Sequence, residues 1–157
     1  MRSLLKQLAL PAFVAALAAA SVAVVVSSAA GRSAAVANGS MIEHDSLVAK
    51  TEPGTHKGGG LTIGYSFFTK AKDLPLVFRK RALHPGSSIG LHTQKEDEIY
   101  YVLSGAGDLT LDGVRSTVGP GTAILTRTGS SHTIRPVGDK DLVLIITYPS
   151  GKPAAKP

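Results

Sequence analysis

The sequence predicts an all-β domain built as a sandwich or barrel, and three observations carry that prediction. No convincing helix pattern appears after residue 40. Strand-like runs instead follow one another at short intervals, separated by Gly, Pro, Asp and Ser. The pair Asp112-Gly113, set between Leu-Thr-Leu and Val-Arg-Ser, is a two-residue hairpin signal of the type I′ kind. Many short strands joined by tight turns close their apolar faces on each other rather than on helices.

Taken in order, residues 1–37 read as processing information. Arg2 and Lys6 form a basic start, and residues 8–26 are uncharged and rich in Ala, Val and Leu. Small-residue cleavage sites follow, Ala35-Val36-Ala37 or Ser28-Ala29-Ala30. This is the pattern of a secretory signal peptide. An uncleaved membrane anchor is the competing reading. Cleavage is favoured because Ala makes a poor spanning core and Pro11 interrupts the run. Either way the basic start places the domain outside the cytoplasm, periplasmic or secreted.

The domain is then expected over residues 38–150, with its core at 76–148. Predicted strands cover residues 46–51, 61–68, 76–83, 88–94, 98–103, 108–111, 114–118, 123–126, 133–136 and 142–148. Residues 52–60, with three consecutive glycines, read as a loop that either approaches something closely or moves. Gly105-Ala-Gly107, Gly119-Pro-Gly121 and Gly138-Asp-Lys140 mark further turns. The tail at 151–157 is expected to be disordered.

Charge and cysteine content exclude several functions. Removing residues 1–37 takes away Arg2, Lys6 and Arg32, leaving 14 basic residues against 11 acids and a net charge of +3 rather than +6. The remaining cations, such as Arg79-Lys80-Arg81, are scattered without interleaved aromatics, which argues against a nucleic-acid groove. With no cysteine, thiol nucleophiles and thiolate metal sites are ruled out, and packing, dimerisation or a metal must replace disulfides.

His92, Gln94, Glu98 and His132 can close four ligand atoms around one metal ion. Side chains at i and i+2 of a strand share a face, so His92 and Gln94 point the same way. Lys95-Glu96-Asp97 reads as a polar turn, after which Glu98 opens a strand; antiparallel pairing with the preceding strand brings Glu98 back beside the first two. His132 arrives from a later hairpin. Glu98, Tyr100 and Val102 share one face, and an inward carboxylate needs a cation or donors to offset its desolvation. Tyr100 either orients a substrate through its hydroxyl or is core with a satisfied tip. Arg127 either pairs with an anionic substrate or sits in an exposed ion pair. His56 is either a base carried by a lid or a solvated loop residue.

These two stretches resemble the paired motifs of the cupin superfamily. Gly86, five residues, His92-Thr-Gln94, three residues, Glu98, six residues and Gly105 fit its first motif, with Gln94 where a second His is usual. Gly121, five residues, Arg127-Thr-Gly129, two residues and His132 fit its second, with Pro136 where Asn is usual. The resemblance implies a double-stranded antiparallel β-helix barrel, or jelly roll, with a metal near one open end, and a homodimer. The strands at 61–68 and 76–83 offer an apolar exterior for it, or else Phe67-Phe68 belongs to the core. Two His, one carboxylate and an amide oxygen suit Fe or Mn, with Ni or Zn also compatible. Gln94 is the fourth ligand, or else it hydrogen-bonds a substrate or water.

The expected function is that of an exported metal-binding cupin acting on a small oxygen-rich molecule. Oxygenase chemistry is favoured over isomerase or lyase chemistry, because Tyr100 and His56 are the only candidate proton carriers. The alternative is a non-catalytic module that binds or senses a small ligand, with a structural metal or none. A storage-type structural role has less support in so short a chain.

Overall fold

The computed structural model describes residues 34–35 and 39–151. The signal segment and its cleavage sites, and the tail, lie almost wholly outside those residues. Two short strands, β1 (Ala34–Ala35) and β2 (Met41–Ile42), pair with each other. The remaining strands are β3 (Ala49–Pro53), β4 (Leu61–Phe67), β5 (Leu76–Leu83), β6 (Ile89–Thr93), β7 (Glu98–Ser104), β8 (Ala106–Leu111), β9 (Val114–Val118), β10 (Ala123–Thr126), β11 (Ser131–Val137) and β12 (Leu142–Pro149).

They form two antiparallel sheets in a jelly-roll-like arrangement, ordered β10-β7-β12-β5-β4-β3 and β6-β11-β8-β9. Alternation sets the core between them. Leu142, Leu144 and Ile146 of β12 are buried, as are Tyr100 and Val102 of β7, Leu109 of β8 and Ile134 of β11. Each fully buried leucine contributes about 1.5–3 kcal/mol relative to exposure. Asp112 and Gly113 both have positive φ, 48° and 80°, as a type I′ turn requires, and Leu111 faces Val114 across the hairpin.

Three expectations need correction. The strand expected at 46–51 begins instead as a helical turn, Asp45–Val48, because the His44 side chain accepts the Ser46 N–H at 3.3 Å and caps it. The strand carrying His92 does not pair with the strand carrying Glu98. β6 pairs with β11, while β7 lies in the other sheet between β10 and β12. The polar turn after Gln94 is thus a corner between sheets and not a hairpin.

The third concerns only the start of residues 52–60, which otherwise form the expected loop in its closely approaching form. Strand β3 extends to Pro53, and the rest docks firmly on β6 through a tight turn at Thr55–Lys57. Ser88 Oγ donates to the Gly58 carbonyl at 2.5 Å. A Cβ at Gly58 would lie 2.0 Å from the Ser88 carbonyl oxygen, and one at Gly90 would lie 2.1 Å from that of His56. Glycine at both positions lets the two backbones meet.

The outer face of the larger sheet is apolar where Ile99, Tyr101, Leu103 and Leu125 are exposed. At its other end Phe67, Phe68 and Phe78 pack together, with ring centroids 5.8–6.4 Å apart. No helix among the described residues is long and apolar enough to cross a membrane.

Candidate metal centre

His92 and His132 are direct cross-strand partners on β6 and β11, so both imidazoles leave the smaller sheet side by side, 4.4 Å between centroids. Glu98 enters from the facing sheet at the start of β7, 8% exposed. One ligand atom from each of His92, Glu98 and His132 lies within 4.8 Å of the others. The corner between sheets is fixed on both sides. Gln94 N–H donates to the Ser130 carbonyl at 2.8 Å and Gly129 N–H to the Gln94 carbonyl at 2.9 Å. Asp97 accepts from the backbone N–H and hydroxyl of Thr128 at 2.8 and 3.1 Å.

Tyr100 joins the three. Its hydroxyl donates to Glu98 Oε2 at 2.5 Å and lies 2.8 Å from His132 Nε2. A phenol has one proton. With that proton on Glu98, His132 Nε2–H is the donor in the second contact, and the neutral ring carries its lone pair on Nδ1. That buried Nδ1 has no hydrogen-bond partner. His92 directs Nδ1 to the Gly90 carbonyl at 2.8 Å, which leaves its Nε2 for another partner. Two imidazoles, each with a ring nitrogen uncommitted to the protein, beside a buried carboxylate, fit a divalent cation.

Electrostatics agree with that fit. Burial, followed by the neighbouring His92 and His56, lowers His132 to about 4, so the ring is neutral and ready to ligate. Burial pushes the Glu98 carboxyl up, opposed by the Tyr100 hydrogen bond, His92 and the Gln94 hydrogen bond. Burial and the Glu98 carboxylate raise the Tyr100 phenol far above its ordinary value. Tyr100 therefore holds its proton and donates it in a hydrogen bond to Glu98.

A cavity of about 430 Å³ opens beside the cluster. Its walls include His56, His92, Gln94, Glu98, Tyr100, Ile146 and, from β5, Arg79 and Arg81. Arg81 is buried, donating to Thr62 Oγ1 at 2.7 Å and pairing with Glu52 at 3.0 Å. The two arginines escape sequence reasoning, which leaves them as scattered cations with no assigned role. The available signal is the alternation Val77, Arg79, Arg81, Leu83 on a strand whose Leu83 is fully buried.

The remaining candidate residues are placed as follows. Gln94 reaches the cluster as a donor to Glu98, with its Nε2 also 3.5 Å from Thr126 Oγ1. His56 is exposed, yet it stacks on His92 and lines the cavity, rather than being a free loop side chain. Burial, then His92 and Arg81, lowers its pKa. Of its two readings, Arg127 takes the exposed ion pair. It pairs with Asp97 at 2.9 Å, is exposed, and borders a separate outer hollow with Leu76, Ile99 and Leu125. It follows the corner that carries Asp97 and so faces away from the cavity.

Two inward-facing sheets with a His-His-Glu cluster at their rim define the class, and the comparisons agree. Residues 80–148 match the family described as cupin domain, and the chain carries a small cupin-superfamily β-domain. It is 40% identical over 67 residues to an oxalate-binding protein of Thermotoga maritima, covering 42% of this chain and 55% of that relative. The match thus spans little more than half the length of that relative. A crystal structure from Thermotoga maritima described as "a predicted oxalate decarboxylase" is similar at 28% identity, with a TM-score of 0.64, covering 69% of this chain and 98% of that one. KdgF from Halomonas sp. shares the fold at 20% identity and a TM-score of 0.51, over 64% and 84% of the two chains. The Cnp3 cupin domain of Schizosaccharomyces pombe shares it at 11% identity and 0.54, over 76% and 85%.

Proposed function

We propose that this domain is a metal-dependent cupin enzyme that takes a small oxygen-rich molecule, of the carboxylate class, into the cavity beside His92, Glu98 and His132. The observation that carries the proposal is the convergence of those three donors within 4.8 Å from two different sheets. Fe(II) or Mn(II) is the proposed ion, because the Glu98 carboxylate makes the donor set harder than two imidazoles alone. When bound, such an ion supplies Lewis acidity and oxygen-dependent chemistry.

The chain's own residues hold and shield the substrate. Ile89, Ile146 and Tyr148 give the cavity an apolar wall, while His56 covers the His92 ring. Tyr100 keeps a proton at its hydroxyl oxygen, between Glu98 and His132. The relatives named for oxalate support a carboxylate ligand. One of them is named a binding protein, which favours a second reading in which the ligand is held unchanged.

Elemental analysis of protein prepared with Mn2+ or Fe2+ tests the proposal. Near-stoichiometric metal in the wild type, lost in His132→Ala with circular dichroism unchanged, is the expected result. Equal metal content in both removes His132 from the site. Incubation of the loaded protein with oxalate and with longer dicarboxylates, malonate among them, then separates the readings, since an enzyme consumes one of them and a binding module holds them unchanged. We also propose a homodimer formed through the apolar outer face of the larger sheet and, from the signature in residues 1–37, action outside the cytoplasm.

A further inference from the structure

Arg79 and Arg81 lie two residues apart on β5 and share its inward face with the fully buried Leu83. Register places Arg79 opposite Ile146, which in turn faces Tyr100. Two strand spacings thus separate the Cα atoms of Arg79 and Tyr100, about 10 Å. The metal cluster and the arginines are therefore on one cavity, with Ile146 as the floor between them.

The two cations are not equally compensated. Arg81 has Glu52 and Thr62, and Gly64 opposite it leaves room for that pair: a Cβ there would lie 2.8 Å from Glu52 Oε2. Arg79 has no acid paired with it among the described residues, and its buried Nε has no hydrogen-bond partner. It borders both the cavity and a smaller hollow lined by Ser66, Phe68 and Leu76. A guanidinium held this way is costly unless something pairs with it, and its fork of donors matches a carboxylate bidentately.

We propose that Arg79, backed by Arg81, is the specificity-determining residue of the cavity, selecting a ligand whose carboxylate sits on the β5 wall while its other oxygens face His92, Glu98 and His132. The proposal rests on the metal-dependent reading of the site and adds the part of the ligand that the metal donors do not hold. A neutral analogue of the same shape leaves Arg79 unpaired and is rejected. A ligand reaching both walls is longer than a two-carbon diacid held only at the cluster, and the cavity has the room.

The test titrates the Mn2+-loaded full chain with malonate and with its neutral diamide, malonamide, by calorimetry. Malonate is expected to bind at least tenfold more tightly than malonamide. Arg79→Gln is expected to lose at least tenfold in malonate affinity with Mn2+ content unchanged, and Arg79→Lys to recover part of it. Unchanged malonate affinity in Arg79→Gln, or equal affinity of the wild type for the two probes, overturns the proposal. Should Arg79→Gln not fold, the wild-type Nε–H resonance of Arg79 is followed during malonate addition, and no shift overturns the proposal. A wild type that takes up no Mn2+ defeats the metal-dependent reading alone. The Arg79 resonance in metal-free protein then decides: a malonate-dependent shift sustains the arginine wall, and its absence rejects it.

Discussion

The imidazole rings of His56 and His92 lie parallel, with centroids 3.5 Å apart and planes within 1°. This contact is built from the backbone. His56 and Lys57 occupy the left-handed region, at φ of 51° and 61°, which costs free energy for any residue with a Cβ. The docking of that turn on β6, through Gly58 and Gly90, offsets the strain. His92 is thus held at its edge by the Gly90 carbonyl and on its face by His56.

If that clamp orients a metal-binding nitrogen, His56→Ala should weaken Mn2+ binding by roughly tenfold, the lower end of what outer-shell partners contribute. Competition against a chelator of known affinity measures it. The thermal midpoint of the metal-free protein should move little, because His56 is exposed. Unaltered Mn2+ affinity would mean that the Gly90 carbonyl alone orients the ring.

Tyr100 gives a prediction with a different signature. Tyr100→Phe removes the hydroxyl shared by Glu98 and His132 and leaves two buried polar groups short of a partner. The metal-free protein should lose about 1–3 kcal/mol. The loaded protein should lose less, since a cation engages the same carboxylate and imidazole. Urea unfolding with and without Mn2+ reads the difference. Equal losses in both forms would show that the hydroxyl and the cation do not share partners.

Much of this site was legible in the chain because strand alternation is a local rule. Glu98, Tyr100 and Val102 fall on one face of β7 and all are buried. Asp112-Gly113 specified its own turn by the same kind of local chemistry. What was not legible depends on distant partners. Whether β6 pairs with β7 or β11 is decided by which apolar faces meet, so the corner at Gln94 read as a hairpin. Arg79 and Arg81 read only as scattered cations, because a cation on a strand is ordinarily outward. Only Glu52, Thr62 and the space at Gly64 make Arg81 tolerable inside. The glycines around residue 58 gave a choice between close approach and mobility, and only the position of β6 resolves it.

His132 sets a pH dependence. Its imidazole is lowered to about 4 in the fold against 6.5 in the unfolded chain. Between those values the unfolded chain takes up a proton that the fold refuses. The stability present above pH 6.5 is therefore lost progressively as pH falls to about 4. Glu98, pushed up by burial, acts in the opposite sense, so the informative quantity is the difference between wild type and His132→Gln. In chelator-treated protein, the wild type should lose more stability than the variant between pH 7 and 4. Parallel pH profiles would show that His132 is protonated with equal ease in both states.

Gln94 is where the chain departs from a two-imidazole pair at i and i+2, and its amide is engaged with Glu98 and Thr126. As a donor to Glu98 it steadies the carboxylate, and its oxygen is at best a weak ligand beside two imidazoles. In Gln94→His, a ring nitrogen replaces that amide on the face that already carries His92. Divalent metal should bind about tenfold more tightly, with Zn2+ and Ni2+ gaining more than Mn2+ because they prefer nitrogen donors. Chelator competition with each metal in turn provides the measurement. A loss of affinity for all three metals would show that the Gln94 contact to Glu98 matters more to the site than a fourth strong donor does, which would make this cupin's amide a positioning group.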